Sequence, residues 1–405
     1  MGLNSTPSAD RVHIGIFGRR NAGKSSVING ITGQSLAIVS DVKGTTTDPV
    51  SKAMELLPLG PVVMIDTPGI DDEGELGALR VQKSYQVLNK TDIAVLVVDA
   101  SLGMTSQDYA LINKIEEKQI AYVVAFNKAE SLSREEIEKL CMGRSNYIAV
   151  SAVTGQNIYE LKELIASQAP HDKPEIPIVQ DLLEPLDLAV LVVPVDKAAP
   201  KGRLILPQQQ TIRDILEARA SALVVQDVDL AAALKKLAQP PKIVITDSQA
   251  FKQAAKDTPR DVLLTSFSIL FARHKGNLKT LVEGVAAIDK LKDGDTVLIS
   301  EGCTHHRQCN DIGTVKIPVW LKQYTSAAIH LEFTSGVEFP SDLSKYKLII
   351  HCGGCTLNER EMKYRIQCAE DARVPITNYG MFIAQIQGIL KRSLEVFPSV
   401  YDKIS

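Results

Sequence analysis

Apolar and polar positions along the chain follow two recurring rhythms. "RVHIGIF" (11–17) alternates like a half-buried strand and runs through a glycine-rich turn into the helically spaced "KSSVINGIT". Apolar runs of strand length return at "VVMIDTPG" (62–69), "AYVVAFNKAE" (121–130) and "YIAVSAVTG" (147–155). They return again at 186–196, 221–227, 241–248 and 261–267, and once more at 295–300, 327–333 and 346–351. Helical spacing fills the intervals, as in "QTIRDILEARA", "VDLAAALKKLAQ" and "LKTLVEGVAAIDKL". The chain closes on "LNEREMKYRIQCAEDA" and "NYGMFIAQIQGILKRSLEVF". Strands alternating with helices predict an α/β protein with mostly parallel sheets.

At 405 residues the chain exceeds one ordinary core. The stretch "QAPHDKPEIPIVQ" (168–180), with prolines at 170, 174 and 177, reads as an extended linker. Three domains are expected, at 1–172, 173–268 and 269–405, the first a phosphate-loop fold and the others smaller parallel-sheet α/β domains. The middle domain's four strands make a small sheet with edges to protect, so pairing with a second copy is its expected use. Its polar residues Asp196, Lys197 and Arg203 read as a solvated loop.

Composition adds exclusions. With 45% apolar and 23% charged residues and a net charge of −3, the chain is of the ordinary globular class and carries no basic footprint for nucleic acid or anionic membrane. No run approaches a membrane span, and the N-terminal stretch lacks a signal peptide's apolar centre, which predicts a cytoplasmic protein. "MGLNST" matches the myristoylation pattern formally, but so short a pattern also matches by chance.

Between the first strand and helix lie Gly18-Arg19-Arg20-Asn21-Ala22-Gly23-Lys24-Ser25, a phosphate-binding loop in its required strand-to-helix setting. Its glycines let backbone N–H groups close on phosphate oxygens, the helix N-terminus adds a positive dipole, and Lys24 supplies a mobile charge. Ser25 would hold magnesium, with Asp66 acting on the ion through water. Gly69 can bring its N–H to a γ-phosphate, and Thr46 of "GTTTD" (44–48) would complete the metal shell. Asn127-Lys128-Ala129-Glu130 and Ser151-Ala152 end the two following strands.

This order of motifs over residues 10–170 resembles the GTPase family, in particular its Era and TrmE branch with the "GRxNAGKSS" loop. The resemblance implies GTP held by Gly18, Asn21, Ala22, Gly23, Lys24, Ser25, Ser26, Thr46, Asp66, Gly69, Asn127, Lys128, Glu130, Ser151 and Ala152. It further implies that Lys24, Thr46 and Gly69 act in hydrolysis. Glu130 departs from the family's NKxD motif by one methylene, which weakens its grip on the guanine edge. An asparagine at the place of Asn21 coordinates potassium in this branch, so potassium-stimulated hydrolysis is implied; the alternative is a loop-stabilising amide. Ile70 stands where many signalling GTPases carry a water-orienting glutamine, so slow turnover is expected.

Six cysteines (141, 303, 309, 352, 355, 368) in a chain without an export signal do not suggest a disulfide framework. Cys303 directly follows the strand 295–300, and Cys352 and Cys355 follow the strand 346–351. If those strands are parallel, Cys303, His305, His306, Cys309, His351, Cys352 and Cys355 all gather at one carboxyl edge, where open α/β sheets place their sites. Structural zinc, a redox dithiol and an iron–sulfur cluster compete for such an inventory; the dithiol works as a pair and is disfavoured where other soft ligands crowd in, while spacing leaves zinc and iron both open.

A GTPase of this branch joined to Cys303-Thr304-His305 and His351-Cys352-Gly353-Gly354-Cys355 resembles the HydF family, the GTPases of FeFe-hydrogenase maturation. The resemblance spans the chain and implies, in order, GTP-binding, dimerisation and cluster-binding domains in a homodimer. It implies a 4Fe-4S cluster on Cys303, Cys352 and Cys355. It also implies a diiron precursor received from radical-SAM partner enzymes and delivered to apo FeFe-hydrogenase. His305 or His351 would take the labile fourth position or support it, and His306 and Cys309 would sit behind the ligands. Cys141 and Cys368 read as small hydrophobes. The competing reading is an RNA- or ribosome-associated GTPase with a zinc-stabilised C-terminal domain; the charge balance and the lack of a basic, aromatic-interleaved segment count against it.

Overall fold

A computed structural model describes residues 10–33, 49–70, 81, 83–141, 143–169, 176–195, 204–302, 311–336, 339–340, 342–355 and 357–401. Two compact units form, Met1–Lys173 and Pro174–Ser405.

The first unit holds six strands: β1 (Val12–Phe17), β2 (Val50–Leu56), β3 (Gly60–Asp66), β4 (Ile93–Asp99), β5 (Ala121–Asn127) and β6 (Tyr147–Ala149). Their order is β2-β3-β1-β4-β5-β6, with β2 antiparallel to β3 and the other pairs parallel. Successive residues of the central strands bury on opposite faces: Val62 and Met64 join Ile14, Val95 and Val97 on one side, Val63 and Ile65 join Phe17, Leu96 and Phe126 on the other. Helices cover both faces, which is why these strands read as unbroken apolar runs.

The second unit contains two four-stranded parallel sheets. One, in the order β10-β9-β7-β8, is built from β7 (Leu188–Val192), β8 (Ser221–Val225), β9 (Ile243–Thr246) and β10 (Leu263–Ser266). The other, in the order β12-β11-β13-β14, is built from β11 (Thr296–Ser300), β12 (His330–Thr334), β13 (Leu348–His351) and β14 (Ile376–Asn378). Each sheet is an α/β domain of its own, yet one hydrophobic core runs through both, from Ile178 to Phe397. The helix Phe267–Lys275 joins them: Phe267, Ile269, Leu270, Phe271, Ala272 and Lys275 are all buried, so its circumference is covered on most sides.

Two long helical stretches break where periodicity alone carried on. "LKTLVEGVAAIDKL" is an α-helix only over Leu278–Val285, with a short 3₁₀ turn at Ile288–Lys290. The last stretch splits into Tyr379–Ile386 and Leu390–Ser393 around Gly388, whose φ of 68° turns the chain. Strands β2, β4 and β14 add to those read from the apolar runs above.

Candidate functional sites

The nucleotide motifs assemble at the carboxyl edge of the first sheet. β1 ends at Phe17, and the loop 18–23 returns the chain into the helix Lys24–Thr32. Gly18 has φ 143°, and a Cβ there would lie 2.2 Å from the Val97 carbonyl oxygen; Gly23 has φ 90°, and a Cβ would lie 2.2 Å from Asn127 Nδ2. Only glycine fits either place without displacing backbone or a buried amide. Lys24 Nζ donates to the carbonyls of Gly18 (2.9 Å) and Arg19 (3.0 Å), so the ammonium lies across the loop. Asn21 is exposed on the loop with φ 62°.

Ser25 Oγ lies 3.4 Å from Asp66 Oδ2, and Asp66 Oδ1 is buried without a hydrogen-bond partner. Burial raises the Asp66 carboxyl above its usual range, against the pull of Lys24 and Ser25. A hydroxyl and an orphaned carboxylate oxygen suit a small hard cation, so the residues fit magnesium. Thr67 Oγ1 donates to the Ile16 carbonyl (2.7 Å) and Ile70 N–H to the Gly18 carbonyl (3.4 Å), which ties the Asp66–Gly69 turn to the phosphate loop. Thr46 lies outside the described residues.

Asn127, 3% exposed, joins two loops. Its Nδ2 donates to the Ala22 carbonyl (3.0 Å), and its Oδ1 accepts the Ala152 N–H (3.1 Å). Lys128 adopts φ 69° and pairs with Asp99 Oδ2 at 2.5 Å. Asp99, at the end of β4, was not among the residues expected from sequence; a carboxylate closing an apolar strand beside the phosphate loop was the available signal. Glu130 is exposed, and a hydrogen bond from the Ser151 hydroxyl holds its carboxyl below the usual range.

In the second unit β11 and β13 are parallel neighbours with Ser300 opposite His351, so residues 301–302 and 352–355 leave one sheet edge side by side. Cys352 Sγ accepts the N–H of Gly302 at 3.0 Å and that of Gly354 at 3.4 Å, and Cys352 N–H donates to the Ser300 carbonyl at 2.8 Å. His351 is fully buried. Its Nδ1 meets the Cys352 carbonyl at 2.7 Å and its Nε2 meets Arg365 Nη1 at 3.1 Å. A carbonyl only accepts and a guanidinium only donates, so the proton sits on Nδ1 and both ring nitrogens are occupied. Burial, then the Arg365 charge, depress the His351 pKa to about 3, which agrees with a neutral ring.

Tyr379 O–H lies 3.4 Å from Glu301 Oε1 at the same edge, and burial together with nearby Cys352 and Glu301 pushes its phenol far up. Sequence reading did not single out Arg365, Glu361, Glu301 or Tyr379; the only trace was the Glu361/Arg365 spacing of four on a helix. Cys303, His305, His306 and Cys309 lie outside the described residues, and among the described residues no group of three or more His, Cys, Asp and Glu side chains is placed to hold a metal. Cys141 and Cys368 pack beside the cores of their own units. A cavity of about 540 Å³, lined by Arg273, Asn277, Lys279, Lys363 and Glu370 among others, contains none of the predicted site residues.

Comparison with known proteins sorts the chain into three stretches. Residues 13–128 match the family described as 50S ribosome-binding GTPase, residues 178–276 the Hydrogen maturase F dimerization domain, and residues 279–396 the Hydrogen maturase F tetramerization domain. The GTPase Der of Wolinella succinogenes is 35% identical over 174 residues, covering 40% of this chain and 36% of that protein. Der of Kosmotoga olearia is 32% identical over 136 residues, covering 32% and 30%. The chain thus spans about a third of the length of these curated relatives. Among solved structures, an Aquifex aeolicus Era bound to GDP and aluminium fluoride aligns with 60% of this chain and 97% of its own at 19% identity and a TM-score of 0.35. The first unit carries a GTPase domain.

Proposed function

Since the chain belongs to the hydrogen maturase F (HydF) family, we propose that it is a GTP-hydrolysing scaffold that carries an iron–sulfur cluster and passes a diiron precursor to apo FeFe-hydrogenase. The observation that carries the cluster reading is the hydrogen bond from Gly302 N–H to Cys352 Sγ at 3.0 Å, made between residues fifty apart in sequence. Gly302 immediately precedes Cys303, and covalent geometry keeps consecutive Cα atoms about 3.8 Å apart. On this reading Cys303, the next residue in sequence after Gly302, is the third thiol brought to Cys352, and Cys355 lies one Gly-Gly step beyond Cys352 in sequence. Backbone N–H groups turned toward sulfur favour the thiolate that iron binds, so the donor chemistry fits a cluster.

In this reading Cys303, Cys352 and Cys355 hold the cluster, which supplies an iron with an exchangeable position. Both nitrogens of His351 are already engaged, so it supports Cys352 and leaves His305 as the histidine candidate for that position. At the other site Ser25 and Asp66 hold magnesium, Lys24 and the loop N–H groups hold phosphate, and Asn21 is the potassium candidate. Nucleotide state regulates encounters with partners: radical-SAM maturation enzymes, the apo-hydrogenase and a second copy of this chain. The setting is cytoplasmic, where thiols stay reduced.

Metal analysis under strict exclusion of oxygen tests the reading. About four irons with matching sulfide per chain, and a brown protein, are expected. A colourless protein with one tightly held zinc would overturn it and favour a zinc-stabilised GTPase.

A further inference from the structure

Arg365 is fully buried on the helix Glu359–Asp371, and neither the nucleotide motifs nor the thiol ligands make use of it. Its guanidinium reaches three strand ends at once. Nη1 lies 3.1 Å from His351 Nε2 and 3.5 Å from Ser300 Oγ, and Nη2 donates to the Gly336 carbonyl at 2.7 Å. Ser300 ends β11, His351 ends β13, and Gly336 follows β12, and these three strands are adjacent. Nε donates to Glu361 Oε1 at 2.8 Å, which supplies the counter-charge. A planar fork of donors can span these acceptors, whereas a lysine ammonium is a single point.

The buried Arg365–Glu361 pair contributes position more than stability. A buried ion pair recovers little more than its desolvation cost, and well-packed apolar residues often stabilise the same volume as well or better. What an apolar residue cannot do is fix a proton. Because Arg365 donates to Nε2, the His351 proton must sit on Nδ1, where it meets the Cys352 carbonyl at 2.7 Å. That carbonyl opens the Cys352–Gly353 peptide, and one residue further on the Gly354 N–H folds back to Cys352 Sγ. The chain of contacts runs from the guanidinium, through the imidazole, to the cradle around the sulfur.

We propose that Arg365 is a positioning residue of the thiol site: by fixing the tautomer of His351 it sets the Cys352 peptide so that Sγ receives the N–H groups of Gly302 and Gly354, and thereby tunes the iron centre that Cys352 holds. The iron rests on the proposed function, whereas the cradle is independent of it. N–H groups aimed at a ligand sulfur stabilise added electron density, so their loss disfavours the reduced cluster.

The test uses the full chain carrying Arg365→Lys, which keeps the charge and loses the fork. Hydrogen exchange of the iron-free protein is followed by mass spectrometry in peptides spanning 296–302 and 348–355, with peptides over β7 and β9 as controls. At least tenfold faster exchange is expected in the first set, with the controls unchanged. After anaerobic reconstitution with ferrous iron and sulfide, the variant should shift the reduction equilibrium about tenfold toward the oxidised cluster, about 59 mV for a one-electron couple. A folded variant with wild-type exchange overturns the proposal, as does a wild-type potential once iron is bound. Should the wild-type protein itself take up no iron, the proposed function falls and the exchange result alone decides the role of Arg365. If Arg365→Lys does not fold, His351→Gln replaces it and should accelerate the same two peptides; wild-type protection there overturns the proposal.

Discussion

Removing the Asn127 side chain is the most demanding test of the nucleotide site, because one amide holds two loops. In Asn127→Ala the Ala22 carbonyl loses the donor at 3.0 Å and the Ala152 N–H loses the acceptor at 3.1 Å. A buried polar group left unpaired costs about 1–3 kcal/mol. Ala152 is only half-buried, so water recovers part of the loss there, and the pair together amounts to about 2–4 kcal/mol. Taking this whole cost as lost from nucleotide binding sets the upper limit of the effect. At 1.4 kcal/mol per tenfold, affinity should drop by up to roughly 30- to 1,000-fold. Titration of a fluorescent GDP analogue with magnesium measures this, and thermal melts of the nucleotide-free proteins check the fold. Asn127→Asp keeps the acceptor for Ala152 but sets a carboxylate against the Ala22 carbonyl, so it should be at least as damaging. Binding within threefold of wild type by Asn127→Ala, with an unchanged melting temperature, would refute the reasoning.

Ser25→Ala removes the hydroxyl beside Asp66 and should raise the magnesium concentration for half-maximal GTP hydrolysis at least tenfold, on the order of 1.4 kcal/mol of ion binding; an unchanged magnesium titration would contradict the assignment. Glu130→Asp shortens a carboxylate now held by the Ser151 hydroxyl, and should tighten GDP binding about five- to tenfold, or ~1 kcal/mol, with ADP binding unchanged. His13 in β1 has its pKa lowered below 6.5 by burial, which outweighs the opposing charge of Asp92. Below 6.5 the unfolded chain takes up a proton that folded His13 refuses, so stability should fall as pH drops from 7 to 5. His13→Gln should flatten that dependence in urea midpoints measured across the same range.

How much of this was legible in sequence depends on how local each feature is. The phosphate loop, Asp66, Asn127 and Ser151 were legible because each closes an apolar strand with a motif of fixed spacing, and such strands line up at one sheet edge. β4 was an equally apolar run, but with no motif attached beyond its closing Asp99 it drew no attention. β14, with three residues, is too short for periodicity to register. That the two later sheets share one core follows from the helix Phe267–Lys275, whose sequence FSILFARHK ends in Arg273, His274 and Lys275 and so does not announce that it is buried on most sides.

At the thiol site, the meeting of residues 302 and 352 followed from the parallel pairing of β11 and β13, a consequence of the strand–helix alternation. Arg365 did not follow from anything local. In "EREMKYRIQ" it is one of several charged residues at helical spacing, and which of them turns inward depends on the sheet against which the helix packs. His351 looked like a free ligand in "HCGGC" for the same reason: the guanidinium that occupies its Nε2 comes from fourteen residues away.

Cluster binding as proposed requires Cys303 to join Cys352 and Cys355 around a single iron–sulfur centre. Anaerobic reconstitution of the wild type and of Cys303→Ser, Cys352→Ser, Cys355→Ser, Cys141→Ser and Cys368→Ser, followed by absorbance and electron paramagnetic resonance of the reduced proteins, measures this directly. The first three substitutions should each abolish or sharply reduce the cluster signal, while the last two leave it at the wild-type level. A Cys303→Ser protein with a full and unaltered cluster signal would contradict the account.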